Sequence, residues 1–349
     1  MKKVNIAERW IGTGCPAFII AEAGVNHNGS LKIAKRMVDA AKAAGADAIK
    51  FQTFKTEELA TADAPKADYQ KRANRGESQF QMLKKLELSE LLFKELSKYC
   101  KKRKIMFLST PFDGPSVDLL RRLFVPAFKI SSGDLTNIPL IRKIAAAGKP
   151  VILSTGMATM AEIRAAVRTI RSAGNEKLVL LHCTSNYPAK YGEINLRAMD
   201  ALRRGFNVPI GYSDHTDGLE VAVAAVALGA NVIEKHFTLD KNMVGPDHRA
   251  SITHGEFRAM VKSIRKVEKA LGSEEKAPQK SEIEISRVAR KSIVAAKDIA
   301  KGMKLSIDML AIKRPGTGIE PKYIYKLVGR RLKRNISKDQ VLAWGKDIL

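Results

Sequence analysis

GYSDHTDGLEVAVAAVALGANVIEKHFTLDKNMVGPDHRAS, residues 211–251, carries the pattern that decides the fold. Two apolar strand-like runs flank an alanine-rich helical stretch, and each run ends in a polar cluster with a histidine. The clusters are Ser213-Asp214-His215 and Glu234-Lys235-His236; a third, Asp247-His248-Arg249, follows in a Gly-Pro loop. Neighbouring parallel strands that carry reactive side chains at their carboxyl ends are how a barrel enzyme reads in sequence.

The same unit recurs along the chain. Short apolar runs at 17–24, 48–54, 105–112, 127–134, 150–157, 178–188, 208–216 and 231–238 alternate with stretches of helical period. Residues 30–45, 160–174 and 253–273 repeat apolar residues at three- and four-residue spacing. A parallel strand needs a crossover helix, and eight such units close a sheet. The pattern therefore predicts an α/β fold, a (β/α)8 TIM barrel over residues 1–273. The connection 55–80 is long and polar, and reads as a lid or a subunit-contact segment. Residues 274–286 read as a charged linker, and 287–349, with short β-type runs and Gly-Pro turns, as a small β-rich domain.

Composition narrows the class. Hydrophobic residues make up 45% of the 349, enough for an ordinary globular core. There is no eighteen-residue apolar run, so no membrane span is expected. MKKVNIAERW lacks the apolar stretch of a signal peptide, and a cytoplasmic location is expected. Cys15, Cys100 and Cys183 form no CxxC pair, which argues for a reducing compartment and against a zinc knuckle. Cys183, inside an apolar run, reads as a buried small hydrophobe. The net charge of +25 raises the alternative of a basic polyanion-binding protein. However, the lysines and arginines spread along helix faces and aromatic content is only 6%, so no nucleic-acid partner is expected. A positive field also draws anionic small molecules.

Nearly every strand ends in polar groups: Glu22, Lys50, Gln52, Thr110, Lys129, Ser132, Ser154, His182, Thr184, Ser213, His215, Glu234 and His236. The two-residue period places Lys50 with Gln52, and Glu234 with His236, on one face of their strands. Two inward lysines with the hydroxyls of Thr110, Ser132, Ser154 and Ser213 suit an anion bearing a phosphate and a carboxylate. His215 and His236 form a partial metal shell, better suited to Mn²⁺ or Mg²⁺ as a Lewis acid than to structural zinc. A rival chemistry is a Schiff-base aldolase with Lys50 or Lys129 as nucleophile.

AEAGVNHNGS, IKFQTF, STPFD, KISSGD, LSTGMAT, HCTSNYP, GYSDHT, EKHFTLD and GPDHRAS, in this order, resemble the sialic acid synthases. KSIVAAKDIAKG and KRPGTGI resemble that family's C-terminal antifreeze-like (SAF) domain. The resemblance spans almost the whole chain. It implies condensation of phosphoenolpyruvate with N-acetylmannosamine and water to give N-acetylneuraminate and phosphate, by aldol-like attack and C–O cleavage. The related alternative is an N,N'-diacetyllegionaminate synthase acting on 2,4-diacetamido-2,4,6-trideoxymannose. By resemblance, His215 and His236 hold the divalent metal, Mn²⁺ first and Mg²⁺ or Co²⁺ as substitutes. Phosphoenolpyruvate contacts fall on Lys50, Thr110, Lys129, Ser132, Ser154, Ser185 and Ser213. Sugar contacts fall on Glu22, Gln52, Tyr187 and Asp247. Arg314 of KRPGTG is lent to a partner subunit's site, which implies a domain-swapped homodimer. The acid after KISSG is Asp134, shorter than the glutamate other members carry. Glu22 or Asp134 is expected to assist the water that adds at C2.

Overall fold

The computed structural model describes residues 2–66 and 76–349, which form two compact units, Met1–Gly272 and Ser273–Leu349. The first unit opens with a hairpin, β1 (Val4–Ile6) and β2 (Arg9–Ile11), that the sequence pattern did not announce. Eight parallel strands follow: β3 (Phe18–Gly24), β4 (Ala48–Thr53), β5 (Met106–Pro111), β6 (Phe128–Ile130), β7 (Val151–Ser154), β8 (Leu178–Cys183), β9 (Ile210–Asp214) and β10 (Val232–Thr238). The ladder runs β5-β4-β3-β10-β9-β8-β7-β6, and β5 lies against β6 at the seam. The result is a nearly closed (β/α)8 barrel.

Helices cross between the strands, and their ends follow local chemistry. In α1 (Leu31–Ala44) the Ser30 hydroxyl accepts from the Ile33 N–H, and Gly45 terminates the helix in the left-handed region. The helices Met160–Ser172 and His254–Leu271 each begin with a capping box, Thr159/Glu162 and Thr253/Glu256.

The strands are buried on both faces, and their period of two sorts side chains into two cores. Outward residues such as Ile19, Ile49, Phe128, Leu153, Leu180, Tyr212 and Phe237 pack under the helices. Inward residues at the amino ends, among them Phe18, Ile20, Leu108, Ile152, Val179 and Val232, fill the barrel together with Val4, Ile6 and Ile11 of the hairpin. The hairpin thus supplies an apolar floor. Toward the carboxyl ends the inward positions turn polar: Ile20 gives way to Glu22, Leu108 to Thr110, Ile152 to Ser154 and Val232 to Glu234.

The second unit takes in the stretch read as linker, where Lys280–Ala289 is a helix and not an irregular connection. Ile283, Ile285 and Val288 are the apolar residues of that helix, set among charged neighbours that obscured it. The β-rich part pairs β11 (Ser292–Ala295) with β12 (Leu310–Lys313) around Ile293, Ile299, Leu332, Ile336 and Leu342. Among the described residues no helix is long and apolar enough to cross a membrane, and all three cysteines are free.

Candidate active site

The polar tips of the inward positions surround a cavity of ≈ 470 Å³ at the carboxyl-terminal mouth of the barrel. Register brings them side by side: His236 pairs with Glu22, Glu22 with Lys50, and Glu234 with Ser213. Glu22, Lys50, Gln52, Thr110, Lys129, Ser132, Ser154, Ser185, Tyr187, Ser213, His215, His236 and Asp247 all line this one cavity.

Alternation divides the sequence clusters in two. Ser213, His215, Glu234 and His236 face the cavity, whereas Asp214 and Lys235 turn outward and form a buried ion pair of 2.7 Å beneath the helices. Lys235 also donates to the Thr216 carbonyl, so this pair is structural. His182 turns outward too, bonded to the Ile194 carbonyl at 2.7 Å, and the Thr184 hydroxyl donates to Glu193. Neither joins the site through its side chain.

Four charges share the floor. The Lys50 ammonium lies 3.0 Å from Glu22 Oε2 and 3.5 Å from Glu234 Oε2, and donates to Thr110 Oγ1 at 3.0 Å. Burial opposes its charge, but Glu22 and Glu234 outweigh burial and hold its pKa above the ordinary lysine value. An ammonium so held is a poor Schiff-base nucleophile. Lys129 donates to Ser154 Oγ at 2.6 Å and stands 3.7 Å from Glu234 Oε1; burial, with Lys50 nearby, lowers its pKa. Glu234 is absent from the residues that the resemblance names, yet it bridges both lysines and accepts from Ser213 Oγ at 3.0 Å. Its spacing of two from His236 was the available signal. Burial works to protonate Glu234, but the two lysines keep its pKa below the usual carboxylate value. Glu22 has the opposite fate: burial pushes it up to about 7 against the pull of Lys50.

Beside the lysines, hydroxyls crowd together. Ser132 Oγ accepts from the Gly156 N–H at 3.0 Å. A Cβ on Gly156 would stand 2.3 Å from Ser185 Oγ and 2.9 Å from Ser132 Oγ, so only glycine fits there. Cys183, read as a buried hydrophobe, is buried but faces inward, its sulfur 3.1 Å from Ser132 Oγ. With Lys129 and Ser154 these groups form a donor-rich cradle of the kind that holds phosphate or carboxylate oxygens.

Across the cavity the rings of His215 and His236 are 5.4 Å apart, with Tyr187 at 4.3 and 5.3 Å from them. His215 Nδ1–H donates to the Thr184 carbonyl at 2.7 Å, which leaves Nε2 with a free lone pair. His236 Nδ1 is buried without a hydrogen-bond partner. Burial lowers the pKa of His215 to about 4, and burial with His215 lowers that of His236 well below normal. Two neutral imidazoles side by side, His215 held by its Thr184 bond, fit a divalent cation. No group of three His, Cys, Asp or Glu ligands occurs among the described residues, so water or substrate oxygen would complete the shell.

Asp134, the other candidate acid, follows the lining residues Ser131, Ser132 and Gly133. It is not among the lining residues; its carboxylate accepts from Ser131 Oγ at 2.6 Å and from Asn137, closing a 3-10 turn. Asp247 does line the cavity, and burial raises its pKa to about 6. Arg314 is exposed on the second unit, its Nε donating to the Ala289 carbonyl at 3.1 Å. Of the segment read as a lid, residues 67–75 lie outside the described residues; helix Gln79–Leu86 contributes Gln79, Met82, Leu83 and Leu86 to the cavity wall. Past Tyr187 and Pro246 a second recess of ≈ 310 Å³ opens, walled by Pro188, Met243, Val244 and Arg249.

Residues 37–276 match the NeuB family and residues 290–346 match the SAF domain. The chain is similar to the N,N'-diacetyllegionaminic acid synthase of Legionella pneumophila, 48% identical over 95% of each protein. It is equally similar to the synthase of the same name from Campylobacter jejuni, 48% identical over 93% of this chain and 98% of that one. Among solved structures, the N-acetylneuraminic acid synthetase of Leptospira borgpetersenii superposes with a TM-score of 0.73 at 37% identity, covering 81% of this chain and 95% of that one.

Proposed function

The chain belongs to the NeuB family, and from that premise we propose that it condenses phosphoenolpyruvate with an N-acylated amino sugar and water, giving a nine-carbon 2-keto acid and phosphate. One observation carries the reading: two buried lysines and a hydroxyl cradle share one cavity with two neutral, partner-free imidazole nitrogens.

Lys129, Ser154, Ser132, Ser185 and the Gly156 N–H form the proposed seat for the phosphate and carboxylate of phosphoenolpyruvate, with Lys50, Thr110 and Ser213 adjoining. Gln52, Tyr187 and Asp247 are assigned to the open-chain sugar. His215 and His236 would hold a divalent cation, Mn²⁺ first, supplying Lewis-acid polarisation of the aldehyde oxygen. C3 of phosphoenolpyruvate forms the new C–C bond to the aldehyde carbon, whose oxygen takes a proton and becomes a hydroxyl. Positive charge developing at C2 is offset by the Glu22 and Glu234 carboxylates. Glu22, whose pKa of about 7 suits proton transfer near neutrality, accepts the proton of the water that adds at C2. The C2–O bond then breaks, and phosphate leaves with the bridging oxygen.

For the acceptor we assign 2,4-diacetamido-2,4,6-trideoxymannose. Support comes from the higher identity to the two legionaminic acid synthases, and from the recess beside Tyr187. Pro188, Met243 and Val244 of its wall suit the acetyl methyl and the deoxy carbon, and Asp217, Asn242 and Arg249 beside them supply polar partners for the second acetamido group. The second reading, N-acetylmannosamine, draws on the similarity to the sialic acid synthetase structure. Turnover of phosphoenolpyruvate carrying heavy oxygen at the bridge tests the reaction. The proposal requires the label in the released phosphate and a 2-keto acid of the summed mass; label left on the organic product would refute C–O cleavage.

A further inference from the structure

The segment Asn26-His27-Asn28, just past β3, lies outside the cavity wall, although its neighbour Val25 lines it. Its side chains instead grip the loop that delivers Asp247. Asn28 Nδ2 donates to the Val244 carbonyl at 2.9 Å, and His248 Nε2–H donates to Asn28 Oδ1 at 3.1 Å. The other ring nitrogen, His248 Nδ1, accepts from the Thr238 hydroxyl at 2.7 Å. Asn26 Nδ2 donates to the Phe237 carbonyl at 3.0 Å and to Ser251 Oγ at 2.9 Å, while Ser251 Oγ donates to the Asp247 carbonyl at 2.6 Å. Asn26, His248, Ser251 and Thr238 are all buried. The loop also runs too close for any side chain at Gly245, where a Cβ would stand 2.6 Å from the His248 ring and 2.8 Å from Asn28 Oδ1.

Asp247 itself has no hydrogen-bond partner for its carboxylate among the described residues, so its position depends on the backbone that carries it. That backbone is fixed on both sides of Asp247, at Val244 and at His248–Ser251, by two asparagines from the neighbouring strand end. We propose that Asn26 and Asn28 are positioning residues, a latch that holds Asp247 at the acceptor-sugar side of the cavity without touching either substrate. The inference rests on the assignment of Asp247 to the sugar. It also specifies which substrate the latch serves, because no residue of the phosphate cradle takes part in it.

Asn28→Gly provides the test, since Asn28 has a left-handed backbone (φ 50°) that glycine retains while both side-chain bonds are lost. Losing the net worth of one hydrogen bond at the sugar should raise the sugar KM about tenfold with the phosphoenolpyruvate KM unchanged. Amide exchange across residues 244–251 should accelerate. Asn28→Asp, which keeps the acceptor facing His248 and loses the donor to Val244, should fall between wild type and Asn28→Gly. An unmoved sugar KM, or both KM values rising together with a lowered melting point, overturns the latch while leaving the proposed function standing. Wild-type protein that turns over no sugar overturns the proposed function, and the latch with it.

Discussion

Replacing Glu22 by glutamine separates chemistry from stability at one position. Glu22 is 2% exposed, and burial lifts its carboxyl from 4.5 to about 7 despite Lys50 at 3.0 Å. The folded protein therefore keeps this proton up to about pH 7, whereas the unfolded chain releases it near 4.5. Between those values the unfolded chain loses its proton first, so folding stability falls as pH rises, and it levels off above 7. At about 1.4 kcal/mol per pH unit, that interval of about 2.5 amounts to at most about 3 kcal/mol. Glutamine cannot ionise, so Glu22→Gln should be the more stable protein at pH 8, by up to about 3 kcal/mol, or several degrees in melting point. At pH 5 the two should agree within about 1 kcal/mol. Activity should move the other way. As a base, Glu22 must be deprotonated, so wild-type kcat/KM should rise with pH through about 7. The variant should lose that rise and about a hundredfold to ten-thousandfold in kcat. Phosphate release and thermal unfolding, each at pH 5 and pH 8, provide the assay. A variant less stable than wild type at pH 8, or one that keeps the acidic limb of the rate profile, would refute the reasoning.

The other substitutions read the remaining parts of the site. His215→Ala and His236→Ala should each abolish turnover at ordinary metal concentrations and reduce bound Mn²⁺ measured by elemental analysis; near-normal rates would remove the metal assignment. Lys129→Met deletes a buried charge-assisted contact worth about 2–3 kcal/mol, so the phosphoenolpyruvate KM should rise about 30- to 150-fold with a smaller change for the sugar. Val244→Asn removes an apolar group from the wall of the recess and should cut the preference for the diacetamido sugar over N-acetylmannosamine severalfold, as judged by the ratio of specificity constants. If Arg314 serves a partner subunit, mixing inactive His215→Ala with inactive Arg314→Ala should restore part of the activity, and a mixture as inactive as its components would exclude that arrangement.

Much of the barrel is legible in the sequence because a doubly buried parallel strand writes itself as an apolar run, and its inward positions can be counted by twos. That count alone places Lys50, Lys129, Ser154 and Ser213 on one surface. It also holds the signal for Glu234 and Cys183, two residues from His236 and Leu181, although a lone acid or thiol at a strand end reads more readily as a structural group. Asp134 shows where counting stops: β6 ends at Ile130, and the acid falls in a 3-10 turn, where the strand's period of two no longer tells which way a side chain faces. The β1–β2 hairpin leaves no such trace because three-residue strands carry too few positions for a period. The latch is invisible in sequence for another reason, since Asn28 and His248 stand 220 positions apart and only barrel closure makes them neighbours.

Phosphate release from phosphoenolpyruvate with Mn²⁺, with each sugar supplied in turn and the product identified by mass, tests the condensation itself. Release is expected only when an N-acylated amino sugar is present, with the higher specificity constant for 2,4-diacetamido-2,4,6-trideoxymannose. Higher specificity for N-acetylmannosamine would leave the condensation intact and reassign the acceptor. No sugar-dependent release with any divalent metal would contradict the function proposed for this barrel.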